Sequence, residues 1–273
     1  MGIQLLAGVL LGVTVAGLSW RAGALNRSGA WASAIVGTLI FGLGGLAWAG
    51  LLLTFFLSSS VLSRVYLRRK AGLGEKFSKG FRRDWGQVLA NGGLGALLAV
   101  VYWVTSQQPW VWVAFAGVMA AVTADTWATE LGVLSRSQPR RITSGRPVEP
   151  GTSGAVSPLG SLAAFLGSLL IAVAACFMVI VSTPDRSGIL GLLVSVTFGG
   201  VCGSFFDSFL GATVQGIYYC PNCEKETEHH PLHTCGAGTT RLRGWVWLNN
   251  DVVNFFASVI GMLVAVCLWV LFG

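Results

Sequence analysis

The chain has 273 residues, of which 53% are hydrophobic and 11% charged, and 18 Lys+Arg against 11 Asp+Glu give a net charge of +7. A soluble domain carries about 25% charged residues, so the composition excludes a disordered chain, a disulfide-stapled secreted module and an ordinary cytosolic enzyme. A mean hydropathy of +0.69 makes a lipid bilayer the solvent for the apolar runs. The basic excess has no aromatic–basic motif beside it, so it reads as topology signalling and not as a nucleic-acid footprint.

Eight apolar segments approach the roughly 20 residues that cross a bilayer: 2–20, 28–43, 45–65, 87–105, 109–133, 157–181, 188–215 and 247–272. The first has neither a basic n-region nor a cleavage site and reads as a span, not a signal peptide. Gly42, Gly44 and Gly45 interrupt the run between the second and third; a single bent or re-entrant segment over 28–65 is the alternative, leaving seven spans. The expected fold is therefore an all-α polytopic membrane protein of about eight transmembrane helices. It forms one integral membrane domain over 1–273, with a small polar insert at 216–246. Gly8 and Gly12, and the run Gly92, Gly93, Gly95 and Ala96, point to close helix packing.

With the N-terminus outside, the loops 20–27, 64–86, 134–156 and 216–246 all face inward and hold two, eight, four and three Lys+Arg, 17 of the 18. Only Arg186 is left outside. The positive-inside rule then predicts a multi-pass cell-membrane protein with both termini outside and every chemistry-capable loop in the cytosol.

Charged groups at the ends of spans are costly and are functional candidates by default. Three such sites fall at inward-facing ends. In Ala124-Asp-Thr-Trp-Ala-Thr-Glu130, Asp125 and Thr129 share a helix face, while Asp125 and Glu130 stand about 140° apart at 100° per residue. They are placed to flank one ligand, and carboxylates with hydroxyls suit a hard cation such as Mg²⁺; interfacial carboxylates paired with Arg are the bland alternative. In the second, Ser204, Asp207, Ser208, Gly211 and Gln215 form one small, polar stripe, either lining a cavity or hydrogen-bonded to a neighbouring helix. In the third, Asn250, Asp251 and Asn254 share one face at the start of the last span, with Ser258 beyond. Asp251 there is either a helix cap or a ligand-binding group.

The inward loop 143–157 contains Gly151-Thr152-Ser153-Gly154 ahead of a helix. Such a turn suits a nest of backbone N–H groups for phosphate, although it is no P-loop, since no Gly-Lys-Ser/Thr follows. A plain turn is the alternative. Arg140, Arg141 and Arg146 favour phosphate. The eight basic residues of 64–86 serve either phosphate or anionic lipid headgroups.

Cys176, Cys202 and Cys267 lie in apolar runs and read as small hydrophobes. Cys220, Cys223 and Cys235 share one polar loop with all three His, a pattern for metal before disulfide. Cys220, Cys223, His233 and Cys235 match a closed, structural Zn²⁺ site, with His230 as the alternative to His233. A redox pair lacks its βαβ context.

These residues also carry a resemblance. Asn26-Arg-Ser-Gly-Ala30, Phe55-Phe-Leu-Ser-Ser59, Ala124–Glu130, Val148-Glu-Pro-Gly-Thr-Ser-Gly-Ala-Val-Ser157, Asp207-Ser-Phe-Leu-Gly-Ala-Thr213 and Asn250-Asp-Val-Val-Asn254 span nearly the whole chain. Together they resemble the integral membrane family that includes plant and cyanobacterial phytyl-phosphate kinases and vertebrate transmembrane protein 19. The resemblance implies transfer of phosphate from a nucleoside triphosphate, CTP in the better-known members, to a prenyl monophosphate such as phytyl or geranylgeranyl phosphate. On that reading Asp125 and Glu130 hold Mg²⁺, and Asp207, Asp251 and Asn254 complete metal or phosphate coordination. Thr129, Arg146, Gly151, Thr152, Ser153, Gly154, Ser208 and Asn250 contact nucleotide or substrate. The Cys/His loop resembles insertions in bacterial relatives and departs from the plant pattern, which leaves the prenyl chain unassigned. The rival readings are a transporter or flippase of a lipid phosphate or small anion, for which no inverted repeat is found, a cytidylyl- or phosphoalcohol transferase, whose Asp-Gly-x-x-Ala-Arg motif is missing, and a non-enzymatic membrane scaffold.

Overall fold

The computed structural model describes residues 2–66 and 82–272. Most of the basic loop at 64–86, with its two readings, lies outside the described residues. Among the described residues, eight α-helices follow one another in antiparallel hairpins: α1 (Gly2–Arg21), α2 (Arg27–Gly44), α3 (Leu46–Tyr66), α4 (Trp85–Val104), α5 (Pro109–Gly132), α6 (Pro158–Ser182), α7 (Ile189–Thr213) and α8 (Asn250–Phe272). Their boundaries follow from local chemistry. Asn26 accepts from the Gly29 N–H to cap α2. Asp84 and Gln87 form a reciprocal capping box at α4. Pro109 and Pro158 occupy the first turns of α5 and α6, where a missing N–H costs nothing. Gly45 adopts φ +85° and returns its N–H to Phe41, so 28–65 is two helices and not one bent segment. Seven of the eight helices are long and apolar enough to cross a membrane. The exception is α2, whose 18 residues include Arg27, Ser28, Ser33 and Thr38.

Helix α5 is central and packs on α3, α4, α6, α7 and α8. Almost every residue from Val111 to Ala124 is buried. Trp48 of α3 stacks on Phe115 of α5 at 4.2 Å and meets Tyr102 of α4 at 4.9 Å. By contrast, α1 exposes Leu6, Leu10, Val13 and Leu18, an apolar face suited to a lipid surround. Trp20, Trp31, Trp85, Trp245 and Trp247 are exposed toward one end of the bundle, and Trp103 and Trp110 toward the other, as aromatic side chains gather at the two membrane–water boundaries.

Small residues bring α5, α7 and α8 into backbone contact. A Cβ on Gly199 would stand 2.7 Å from the Gly261 carbonyl oxygen, and one on Gly261 would stand 3.0 Å from that of Gly117. In lipid, where apolar area gives little driving force, this close approach is what holds helices together. The crossing also sets the site. Asp125 lies eight residues beyond Gly117, Asp207 eight beyond Gly199 and Asn254 seven before Gly261. At 1.5 Å per residue all three stand about 11–12 Å from the crossing, toward the same end.

That end carries two small sheets. The strands β1 (Arg140–Arg141) and β2 (Ala155–Val156) pair antiparallel. The insert between α7 and α8 forms β3 (Ile217–Cys220), β4 (Lys225–Thr227) and β5 (Thr240–Arg243), with β3 central.

Candidate active site

The polar ends of the helices enclose a cavity of about 650 Å³. Helix α5 contributes Asp125, Thr126, Thr129 and Glu130; α7 contributes Ser204, Asp207 and Ser208; α8 contributes Asn250 and Asn254. The loop 150–157 forms one wall. Eleven of the thirteen residues that the sequence assigns to catalysis, substrate or nucleotide therefore line one space. The other two do not: Arg146 is exposed on the loop between β1 and β2, and Asp251 sits in the first turn of α8 outside the lining. The cap at this helix belongs to Asn249, whose side-chain oxygen accepts from the Val252 N–H at 3.1 Å. Asn249 immediately precedes the helix, where a side chain reaches the third amide, whereas Asp251 is already helical.

The acids are held in distinct ways. Ser63 of α3 donates to Glu130 Oε1 at 2.8 Å. The indole N–H of Trp127 donates to Ser58 at 3.4 Å, fixing α5 against α3. Repulsion from Asp125 and from Glu228 acts on Asp207. Asp207 Oδ2 is buried and has no hydrogen-bond partner among the described residues. Converging carboxylates, one with an orphaned oxygen, are the donor set a hard divalent cation takes, and Mg²⁺ fits these residues.

The glycine-rich wall differs in detail from a bare nest. Gly151 and Gly154 both have φ +79°. The Thr152 N–H is consumed by the Glu149 carbonyl at 3.2 Å. Ser153 donates to Gln215 at 2.8 Å, and Gln215 passes the link to Glu228 at 2.9 Å. Gly154 abuts the backbone of Ala212 so closely that no Cβ fits. Arg243 donates to the carbonyls of Gly211 at 2.6 Å and Ser153 at 3.4 Å. Burial lowers the Arg243 pKa, with Glu226 opposing that shift. The wall is thereby bolted to α7 and to the insert.

Cys220, Cys223, His233 and Cys235 place their ligand atoms within 4.8 Å of one another. Cys220 Sγ lies 3.6 Å from Cys235 Sγ, and His233 Nδ1 lies 3.3 Å from Cys235 Sγ and 3.5 Å from Cys223 Sγ. A tetrahedral Zn²⁺ with bonds near 2.0–2.3 Å has ligand–ligand edges of about 3.5–3.8 Å, so Zn²⁺ fits this cluster. His230 is turned away and stacks on Tyr218 at 4.2 Å. The insert is not a detached appendage: Glu228, His229 and Thr234 line the cavity, and His229 Nε2 is buried with no hydrogen-bond partner among the described residues.

The fourth wall was foreseen only in Arg83, one of the basic residues of 64–86 read as phosphate or headgroup contacts; Ser63, Gln87 and Asn91 were not assigned. Ser63, Arg83, Gln87 and Asn91 complete the lining. Arg83 is clamped through its backbone, which bonds Ala24 and Asn26 at 3.0 and 3.1 Å. Gly29 lies against the Arg83 carbonyl where a Cβ would overlap it. The guanidinium stands 5.3 and 5.6 Å from the ring centres of Phe55 and Phe56. Burial lowers its pKa to about 10 against the opposing pull of Glu130, so it is a cation at neutral pH. Gln87 and Asn91, four apart and inside an apolar run, were the available signal.

The family description "Integral membrane protein DUF92" matches residues 10–262. The chain belongs to this family. Among its relatives, Protein PGR of Arabidopsis thaliana is 31% identical over 94% of this chain and 93% of its own length. An uncharacterized membrane protein of Methanocaldococcus jannaschii is 28% identical over 98% of this chain and 95% of its own length. Protein VTE6, chloroplastic, of Arabidopsis thaliana is 26% identical over 89% of this chain and 64% of its own length. No solved structure gives a significant match. Membership agrees with the resemblance carried by the motifs. Those of α5, loop 148–157, α7 and α8 are the segments that meet at the cavity.

Proposed function

We propose that this DUF92 protein is a membrane-embedded phosphotransferase that moves the terminal phosphate of a nucleoside triphosphate, CTP by resemblance, onto a prenyl monophosphate such as phytyl or geranylgeranyl phosphate. The observation that carries the reading is the single cavity where acids of α5 and α7, amides of α8, a glycine-rich wall and Arg83 converge at the polar end of a lipid-facing bundle. An oxygen of the acceptor phosphate forms the new P–O bond, the bond to the β–γ bridging oxygen breaks, and the nucleoside diphosphate leaves. The acceptor is already ionised at neutral pH, so positioning and charge neutralisation dominate over proton abstraction. Asp125, Glu130 and Asp207 would hold Mg²⁺, which neutralises triphosphate charge when bound. Asn250, Asn254, Thr129 and Ser208 orient phosphate oxygens, and the wall at 151–154 excludes water behind them. The Cys/His cluster would hold a structural Zn²⁺ that folds the insert against that wall. The basic loops favour a cytosolic-facing cavity in a cell membrane by the positive-inside rule.

Purified protein with Mg²⁺, labelled CTP or ATP and geranylgeranyl or phytyl phosphate is expected to form the diphosphate, and Asp125→Asn to lose that activity while remaining folded. No turnover, together with movement of the lipid phosphate across liposomes, would replace the reading with a transporter.

A further inference from the structure

A second, apolar slot lies between α3 and the α1–α2–α4 group, walled by Val15, Val36, Phe41, Leu52, Phe55 and Phe56. It is narrow, about 70 Å³ against about 650 Å³ for the polar cavity. The two spaces share Arg83, Gln87 and Asn91, so these residues stand at the boundary between the slot and the candidate active site. Its lateral side follows from the helix arrangement. Helices α1 and α3 both line the slot and both pack on α2, but among the described residues they barely meet each other. A cleft is left there between apolar walls, facing lipid.

The chemistry changes sharply along this path. The slot is hydrocarbon, its end is a cation lying beside two aromatic rings, and beyond the cation lie the acids of α5. An apolar chain alone would make no use of the guanidinium that Glu130 attracts from the cavity side, and a soluble anion would leave the slot unused. An amphiphile with one long chain and a small anionic head satisfies both.

We infer that the slot holds the hydrocarbon chain of the acceptor lipid, admitted sideways between α1 and α3, and that Arg83 anchors its phosphate at the junction with the polar cavity. This deepens, and rests on, the phosphotransferase reading. Gln87 and Asn91, one helical turn apart on α4, complete the headgroup seat beside Arg83.

The test is equilibrium binding to the purified full chain without nucleotide, so that it does not depend on turnover. The probes are geranylgeranyl, geranyl and isopentenyl monophosphate, and geranylgeraniol, which lacks the phosphate. The wild type is expected to bind the 20-carbon phosphate at least tenfold tighter than the 5-carbon one. Leu53→Trp, which narrows the slot from α3, is expected to erase that preference while leaving the 5-carbon phosphate within twofold. Arg83→Gln is expected to weaken every phosphate by tenfold or more and to leave the alcohol unchanged. Val15→Trp narrows the slot from α1 and is read in the same way if Leu53→Trp does not fold. A chain-length preference indifferent to both tryptophans, or phosphate binding indifferent to Arg83→Gln, as expected if the slot merely holds bulk lipid, overturns the inference. The two readings separate: the binding pattern without phosphoryl transfer leaves the slot and removes the kinase, and transfer with binding blind to the tryptophans does the reverse.

Discussion

Gly145 and Gly154 provide an internally controlled perturbation of the glycine-rich wall. Both adopt positive φ, +66° and +79°, so an alanine at either costs about 1 kcal/mol in backbone conformation. At Gly145 nothing lies within 4 Å of the added methyl, and the cost stops there. At Gly154 the methyl lands on the backbone of Ala212, and the loop must lift from α7. Lifting breaks the Ser153–Gln215 bond and the Arg243–Ser153 bond, worth about 1 and about 1.5–3 kcal/mol. Gly154→Ala is therefore expected to cost about 4 kcal/mol in all. At about 2–4 °C per kcal/mol for a chain of this size, thermal melting followed by tryptophan fluorescence should fall about 3 °C for Gly145→Ala and about 10 °C for Gly154→Ala. Only the latter should raise KM for the nucleotide. Equal melting losses, or an unchanged KM in a folded Gly154→Ala protein, would refute the wall's anchoring role.

Asp207→Asn removes a carboxylate that Asp125 and Glu228 repel. It is expected to raise or preserve Tm while turnover falls on the order of 10²–10³-fold; a loss of both stability and activity would point to a structural role instead. Metal analysis should find one zinc per chain, abolished by a Cys220/Cys223 double substitution to Ser. Hydrogen bonding to Cys235, with burial, raises the metal-free Cys223 thiol to about 11. Uptake must therefore release its proton and those of the other two thiols, and zinc affinity measured by competition should rise by well over tenfold, approaching about a thousandfold, per pH unit between pH 6 and 8; a flat profile would argue against thiolate ligation. Arg243→Met removes the donor to Gly211 and Ser153 and is expected to increase protease cleavage within 216–246 before it affects global melting. Protease sites inserted at Gly145 and at Asp185 should be cut from opposite sides of sealed vesicles, and cleavage of both from one side would overturn the orientation.

The spans were legible because bilayer thickness forces long apolar runs. The α2–α3 break was legible because Gly42, Gly44 and Gly45 interrupt the apolar run, and the single bent segment offered as the alternative is not what forms. The insert's sheet was not legible, since Ile217–Cys220 reads as a fading apolar run and its pairing with Lys225–Thr227 and Thr240–Arg243 leaves no period-2 mark in so short and polar a segment. Site residues on spans were legible because a carboxylate in lipid demands a reason. Among the arginines, side-chain type alone gave no guide. Arg146 carries the same charge as Arg83, yet only Arg83 is held by a neighbouring turn, packed on Gly29, and sent into the cavity. That choice is tertiary and leaves no local mark.

The gap between α1 and α3 has a kinetic consequence if the slot is loaded through it. A reactant delivered through it travels within one leaflet, so its effective concentration is a mole fraction in two dimensions and not a molarity. At fixed total reactant, adding inert phospholipid should slow the reaction by dilution of the surface, while doubling the water volume should leave the lipid dependence untouched. A protein built this way answers to the composition of its membrane.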